Sequence, residues 1–491
     1  MSINPNIALA AGALVSAFSV AWIFRKILKL AKLKSLVDNP EARKLQKAPV
    51  PVLGGIAVFF GLVLGTLCYT SLVPDRFGLN ANLSICLASI MMLFTGAIDD
   101  MIGLTPRSRI AVEIVAMLGL IFGSGMCIDS LHGLWGIYDF SWWIAVPLTV
   151  FAGVGLINAY NMIDGVNGLS SGLCIMSSAV LGVMFWKRQD MMDCALATCF
   201  AASLIPFFMH NVFGKRSKMF IGDAGTMVMG MLVAWFCIRV LSSRNVVPVL
   251  EPGKAPMGLV AMMISIASVP VADTLRVMGV RVWHGSSPFA PDRTHLHHYF
   301  IRIGISQSVT TLVEILLNVL VILIWYISYK LGAGIDQQFY ITVLAAAVLV
   351  WGTYLFFRHH FIRQTGFLEK LKEESAYTHF GHRPWWLKMQ RNLDKGAFED
   401  FATILIQKFG IERFINDQHL RNVASFVNFI QGRGKVSVGE TANVCRIEPD
   451  EAISIANTLE SYNIVHVVNR GENGEPHEIK CDELWKDYLE N

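Results

Sequence analysis

Apolar runs of about 18 to 22 residues recur along the chain, each long enough for a helix to cross a ~30 Å hydrocarbon core. They fall at 6–25, 51–72, 83–98, 109–126, 141–159, 169–186, 191–209, 224–241, 256–279, 309–330 and 339–357. This pattern predicts an all-α polytopic membrane protein with about eleven transmembrane helices. Basic residues give the expected orientation. Lys26, Lys32, Lys34, Arg43, Lys44 and Lys47, then Arg107 and Arg109, then Lys215, Arg216 and Lys218, then Arg281, Arg293 and Arg302 all fall in connections on one side. The opposite connections, around Asp75, Asp129, Asp139 and Asp336, are short or mildly acidic, with Lys187, Arg188, Arg244 and Lys254 as exceptions. The positive-inside rule puts the first set in the cytoplasm, the N-terminus outside and the C-terminus inside. Ile7 to Phe24 has no basic stretch before it and Arg25, Lys26 and Lys29 after it, as expected of an uncleaved first span.

The pattern changes after Phe357, where Arg358, His359, His360 and Arg363 open a polar segment. Two domains are therefore expected, a membrane domain over 1–357 and a small α+β cytoplasmic domain over 358–491. Phe401, Ile404, Leu405 and Lys408 mark one helical period. Glu448-Pro449-Asp450 opens a helix carrying Ile453, Ala456 and Leu459, and Ile464 to Val468 reads as a strand before a turn at Gly471 to Gly474. Helix, helix and hairpin suggest a winged-helix-like module. With no basic recognition helix, a protein-interaction or stabilising role is expected rather than nucleic-acid binding.

Composition narrows the class further. Of 491 residues 54% are hydrophobic and only 16% charged, which excludes an ordinary soluble domain of this length. The net charge of +4, from 41 basic and 37 acidic side chains, is too small to signal a nucleic-acid partner. Nine cysteines, most of them in apolar runs and none in a CxxC pair, read as small buried hydrophobes.

The unusual polar clusters all fall at the predicted cytoplasmic ends of spans. Asp99 and Asp100 end one apolar run, where ionised groups are costly and mark a metal, a proton path or a substrate. Arg107 and Arg109 follow and could pair with them or bind phosphate. Asn158 to Gly168 is a polar loop punctuated by glycine. Its Asp164 and Asn167 would share a face if the segment were helical, as suits a hard cation. Phe220-Ile221-Gly222-Asp223-Ala224-Gly225 brings Asp223 to the same layer, either as an Mg²⁺ ligand or as a helix cap. Ser287 to His298 carries Arg293, His295, His297 and His298, suited to pyrophosphate through charge-assisted hydrogen bonds; no cysteine or HExxH spacing favours zinc.

Taken together, LGG at Leu53–Gly55, AIDD at Ala97–Asp100, NMIDGVNG at Asn161–Gly168, IGDAG at Ile221–Gly225 and SPFAPDRTHLHH at Ser287–His298 resemble the polyprenyl-phosphate N-acetylhexosamine-1-phosphate transferases. The PDRTHLHH string is similar to the branch of the undecaprenyl-phosphate GlcNAc-1-phosphate transferases. The resemblance implies transfer of HexNAc-1-phosphate, GlcNAc favoured, from a UDP-sugar to undecaprenyl or another polyprenyl phosphate, with release of UMP. It further implies the first membrane step of a cell-surface glycan pathway such as O-antigen or cell-wall assembly. Mg²⁺ is the implied cofactor, with Mn²⁺ as a substitute, and Asp223 and Asn167 are its implied ligands. Asp99, Asp100 and Asp164 are the implied catalytic carboxylates; Arg109, Phe220, Arg293, His295, His297 and His298 would bind the donor and its phosphates. Two positions depart from the family pattern: Gln46 stands where a histidine is common, and Asn167 where some members carry Asp. A homodimer and a protein partner for the C-terminal domain stay open, as does a covalent Asp intermediate. A secondary transporter would hold its ion at mid-membrane and a non-catalytic scaffold would not need the acidic set, so both are disfavoured.

Overall fold

In the computed structural model the described residues are 4–34, 36–38, 50–73, 79–215, 217–243, 256–288, 294–363, 384–394 and, in short pieces, 422, 425–426, 429–430, 435–461, 465–471 and 474–481. Each of the eleven apolar runs forms helix. They are α1 (Pro5–Leu33), α2 (Gly54–Leu72), α3 (Leu79–Ile102), α4 (Pro106–Ser124), α5 (Trp142–Met162), α6 (Leu169–Lys187), α7 (Met191–Phe213) and α8 (Gly222–Leu241). The broken span α9 (Leu259–Ile266) and α10 (Ser268–Trp283) follows, and then a short helix, α11 (Leu296–Arg302). After it come α12 (Gln307–Lys330) and the last run, which passes from α13 (Ile335–Ala346) through a wider π turn into α14 (Thr353–Arg363).

Among the described residues nine helices are long and apolar enough to cross a membrane, or ten if α9 and α10, bent by 75°, count as one span. The eleventh run, α4, has the length but carries Arg107, Arg109 and Glu113 in its first half. Because successive spans alternate in direction, the ends of α3, α5, α7 and α10 and the starts of α4, α6, α8 and α12 share one side. The four polar clusters lie at these ends.

Helix α8 is the axis of the bundle, with 94% of its apolar window buried, and it packs against α3, α5 and α2. Helices α1 and α2 approach closely through small residues, as membrane helices do when packing replaces the hydrophobic drive. Ser16 donates to the carbonyls of Gly61 (2.9 Å) and Cys199 (2.8 Å), joining α1 to α2 and α7. The LGG motif has a structural purpose. The Gly54 and Gly55 N–H groups donate to the Phe220 and Ile221 carbonyls, while Phe220 N–H donates to Pro51 O. A Cβ on Gly55 would lie 2.3 Å from the Gly225 nitrogen, so α2 and the start of α8 touch backbone to backbone. Gly55→Ala is accordingly expected to lower stability by about 1–3 kcal/mol, as overpacking does. Thermal unfolding of the detergent-solubilised protein checks this, and an unchanged midpoint would contradict the packing described.

Past the last span, α15 (Pro384–Asp394) returns to the membrane domain. Its Asp394 accepts hydrogen bonds from Ser217 N–H and Ser217 Oγ, each 2.8 Å, and from Lys215 N–H, while Trp386 packs on Phe213 with ring centroids 4.6 Å apart. The chain beyond residue 357 therefore grips the loop that leads to Asp223.

Further on, β3 (Lys435–Ser437), α16 (Val438–Cys445), α17 (Pro449–Ser461), β4 (Val465–Arg470) and β5 (Pro476–Cys481) form a small α+β unit with its own apolar cluster around Phe426, Ile455, Leu459 and Ile479. Its antiparallel sheet runs β3-β5-β4 (β1, Val37–Asp38, and β2, Val50–Pro51, pair separately), so the helix expected after Glu448 and the hairpin are present, while α16 and β3 are elements the pattern did not announce. The helix expected around Phe401–Lys408 lies outside the described residues, as do Gln46 and Arg293.

Candidate active site

Four helix ends build an acidic centre. Asp99 sits in the last turn of α3, where Oδ1 accepts from Leu104 N–H (2.6 Å) and Oδ2 from Arg109 Nη1 (3.2 Å). Its neighbour Asp100 turns the other way. Its two oxygens accept from the N–H groups of Asp223 (2.8 Å) and Ala224 (3.2 Å), so Asp100 caps α8 from another helix and satisfies donors that a helix start leaves unpaired. The cap expected from Asp223 itself is thus supplied by Asp100. Asp223 is left with its carboxylate in the centre, accepting from Asn161 Nδ2 at 2.6 Å. Asp99 and Asp100 both lie within electrostatic reach of Asp223.

Arg109 is the cation in this centre. Besides Asp99 it pairs with the fully buried Glu113 (3.5 Å), and its Nη2 donates to Asn158 Oδ1 (3.1 Å) and Asn161 Oδ1 (2.9 Å). Asn158 in turn donates to Glu113 (2.6 Å). Glu113, Asn158 and Asn161 did not enter the predicted site. Glu113 was an isolated polar residue inside an apolar run, costly at membrane depth unless paired, whereas Asn158 and Asn161 lay within the polar cluster already singled out.

Residues 163–168 form consecutive turns rather than the helix that would have aligned Asp164 with Asn167. Asp164 accepts from Ser170 Oγ at the start of α6. Burial pushes its carboxyl up to about 7; the Ser170 bond opposes the shift and the charge of Asp223 adds to it. Asn167 is held through its main chain, its N–H facing Gln307 and its carbonyl accepting from Thr311 Oγ1 (2.7 Å). The amide that reaches Asp223 is that of Asn161, not Asn167.

The histidine segment lies against the same loop. A Cβ on Gly165 would come within 2.2 Å of His297 Nε2, so glycine is what lets the ring rest there. His295 and His297 are stacked with ring centroids 5.6 Å apart, and the His298 ring lies tilted against His297 at 4.3 Å. Burial, with the neighbouring His298 and His295, holds the His297 imidazole well below the usual histidine range. Phe220 faces the Lys218 ammonium (5.9 Å to the ring centroid), and burial pushes that amine down to about 8.

The glycosyl transferase family 4 pattern matches residues 82–241, the stretch holding Asp99, Asp100, Arg109, Asp164 and Asp223. The chain is also 32% identical to the undecaprenyl-phosphate alpha-N-acetylglucosaminyl 1-phosphate transferase of Escherichia coli (strain K12), over 57% of this chain and 72% of that protein. The chain belongs to this family. Other family 4 relatives include the enzyme of the same name from Yersinia pestis, 29% identical over 68% of this chain and 88% of the relative. A probable undecaprenyl-phosphate N-acetylglucosaminyl 1-phosphate transferase of Bacillus subtilis (strain 168) is 27% identical over 62% of this chain and 80% of its own length. In this family 4 chain, the carboxylates of α3 and α8 and the Arg109 hub lie inside the matched stretch.

Among the described residues no three His, Cys, Asp or Glu side chains form a ready-made metal cage. The donors present nevertheless fit Mg²⁺, which binds one or two carboxylates and completes its shell with water and substrate phosphate. They are all oxygen ligands: Asp99, Asp100 and Asp164 each stand within electrostatic reach of Asp223, and Arg109 pairs with Asp99 beside them.

Proposed function

We propose that the chain transfers GlcNAc-1-phosphate from UDP-GlcNAc to undecaprenyl phosphate at the cytoplasmic face of the inner membrane. The products are a lipid-linked sugar pyrophosphate and UMP, and the step opens the assembly of a cell-surface glycan. The observation that carries this reading is the gathering of Asp99 and Asp223 around Arg109, with Asp164 within electrostatic reach of Asp223 and the histidine segment against the same loop. The relatives' names support the acceptor and the sugar, and the basic connections on this side support the orientation. Residues 1–357 would be the catalytic part and 358–491 a cytoplasmic domain attached to it.

In this reading an oxygen of the lipid phosphate attacks the phosphorus bonded to the sugar. The new P–O bond forms as the bond to the UMP oxygen breaks, and UMP carries away the leaving electron pair. Arg109, His295, His297, His298 and Arg293 would hold the pyrophosphate by charge-assisted hydrogen bonds. Phe220 would line the nucleotide. Asp99 and Asp164 would orient the acceptor phosphate, while Asp100, committed to the α8 N-terminus, would position Asp223. Asp223, with Asn167 or Asp164 from the neighbouring loop, would hold Mg²⁺, which when bound neutralises phosphate charge. The rest is positioning, the main task of proteins that catalyse phosphoryl transfer.

Chelation tests the metal assignment. UMP release from UDP-GlcNAc by the purified protein with undecaprenyl phosphate is expected to stop in excess EDTA and to return on adding Mg²⁺, with Mn²⁺ as a weaker substitute. Turnover that persists after exhaustive chelation would exclude the Asp223 metal role.

A further inference from the structure

Asp273 lies outside the described acidic centre, on α10, and is fully buried. Its carboxylate receives four hydrogen bonds. Oδ1 accepts from Arg276 Nε (3.1 Å) and Nη2 (2.6 Å); Oδ2 accepts from Leu296 N–H (3.1 Å) and faces His295 Nδ1 at 2.9 Å. Arg276 Nη2 also donates to the Thr294 carbonyl at 2.5 Å, and its guanidinium lies 3.8 Å over the Tyr354 ring. Asp273 and Arg276 therefore hold three consecutive residues, Thr294, His295 and Leu296, at the start of the histidine helix.

A carboxylate can only accept. At His295 the proton must then sit on Nδ1, and Nε2 is the nitrogen left for another partner. We propose that Asp273 is a positioning residue for the donor: it fixes the tautomer and orientation of His295 so that Nε2 is presented to the phosphate oxygens, and with Arg276 it anchors the backbone that carries the histidine stack. This inference rests on the donor-binding role proposed for His295. An Asp that orients an imidazole without touching substrate is a known physical device, and Asp→Asn at such a site leaves geometry intact but selects the wrong tautomer. In Asp273→Asn the single amide oxygen is best used on the cationic Arg276. The NH₂ group then faces His295 Nδ1, which must become the acceptor.

Two readouts test this. The first is the ¹⁵N spectrum of histidine-labelled full-length protein at mildly alkaline pH, with His295→Gln to assign the signal. His295 is expected as the Nδ1–H form in the wild type and as the Nε2–H form in Asp273→Asn. The second is steady-state kinetics. Asp273→Asn is expected to raise the donor KM about 10- to 100-fold, the usual cost of losing an orienting partner, with the lipid-acceptor KM unchanged; the melting midpoint falls as well, because the buried Arg276 loses its counter-charge. A merely structural role would instead raise both KM values together and leave the His295 tautomer unchanged, and that result would overturn the proposal. The first readout needs no substrate. Failure of the transferase reading would appear as absent wild-type turnover with the tautomer intact. Failure of this inference would appear as a wild-type Nε2–H tautomer or an unchanged donor KM.

Discussion

Asp223→Ala is expected to reduce transfer by about 10²–10³-fold or more, the loss seen when a group that stabilises transition-state charge is removed, without unfolding the protein. The two halves of this expectation have separate causes. Asp223 brings a carboxylate into a centre already occupied by those of Asp99 and Asp100, and like charges so placed repel. Its removal relieves that repulsion. The cost is one accepted hydrogen bond from Asn161, whose amide also donates to Thr226 Oγ1 at 2.7 Å and so keeps a partner. The α8 cap survives because Asp100 bonds the backbone of residues 223 and 224, not the Asp223 side chain. The melting midpoint without added metal should therefore stay at or above that of the wild type while turnover collapses. A variant that loses both together would make Asp223 a structural residue.

Arg109→Met should have the opposite profile, with stability and turnover lost together. Arg109 is the shared partner of Asp99, Glu113, Asn158 and Asn161, which come from α3, α4 and α5. Glu113 has no exposure, so without Arg109 it becomes an uncompensated buried charge, typically a loss of about 3–5 kcal/mol. Glu113→Gln added to Arg109→Met should restore much of the melting midpoint, because the amide removes the charge, yet leave turnover low because the arginine fork is still missing. If the second substitution restores nothing, the buried pair is not the origin of the instability.

The same residues mark what the sequence made legible. Each apolar run forms helix, the simplest way to satisfy the backbone in lipid, and nine or ten of these helices among the described residues are long and apolar enough to cross. The run that falls short, α4, is diluted by Arg107, Arg109 and Glu113, two of which belong to the centre. Asp99, Asp164 and Asp223 stood out because each closes or follows an apolar run in a polar cluster. Glu113 and Asp273 did not, since each sits inside an apolar run and, besides an arginine one turn along its own helix, takes partners from other segments, Asn158 for Glu113 and His295 for Asp273, which leave no local pattern. The 75° bend between α9 and α10 was hidden for a similar reason: the run 256–279 is apolar on both sides of it. Asn167 was singled out by its spacing from Asp164, but spacing implies a shared face only in a helix, and this loop is built of turns.

The central claim is that the sugar moves together with its phosphate. The most direct test supplies purified protein, undecaprenyl phosphate and Mg²⁺ with UDP-GlcNAc labelled with ³²P at the sugar-linked phosphorus, and asks where the label goes. The account predicts label in the organic-soluble lipid product and unlabelled UMP in water, both abolished by Asp223→Ala. Label that stays in water as UDP while the sugar reaches the lipid would mean ordinary glycosyl transfer and would contradict it.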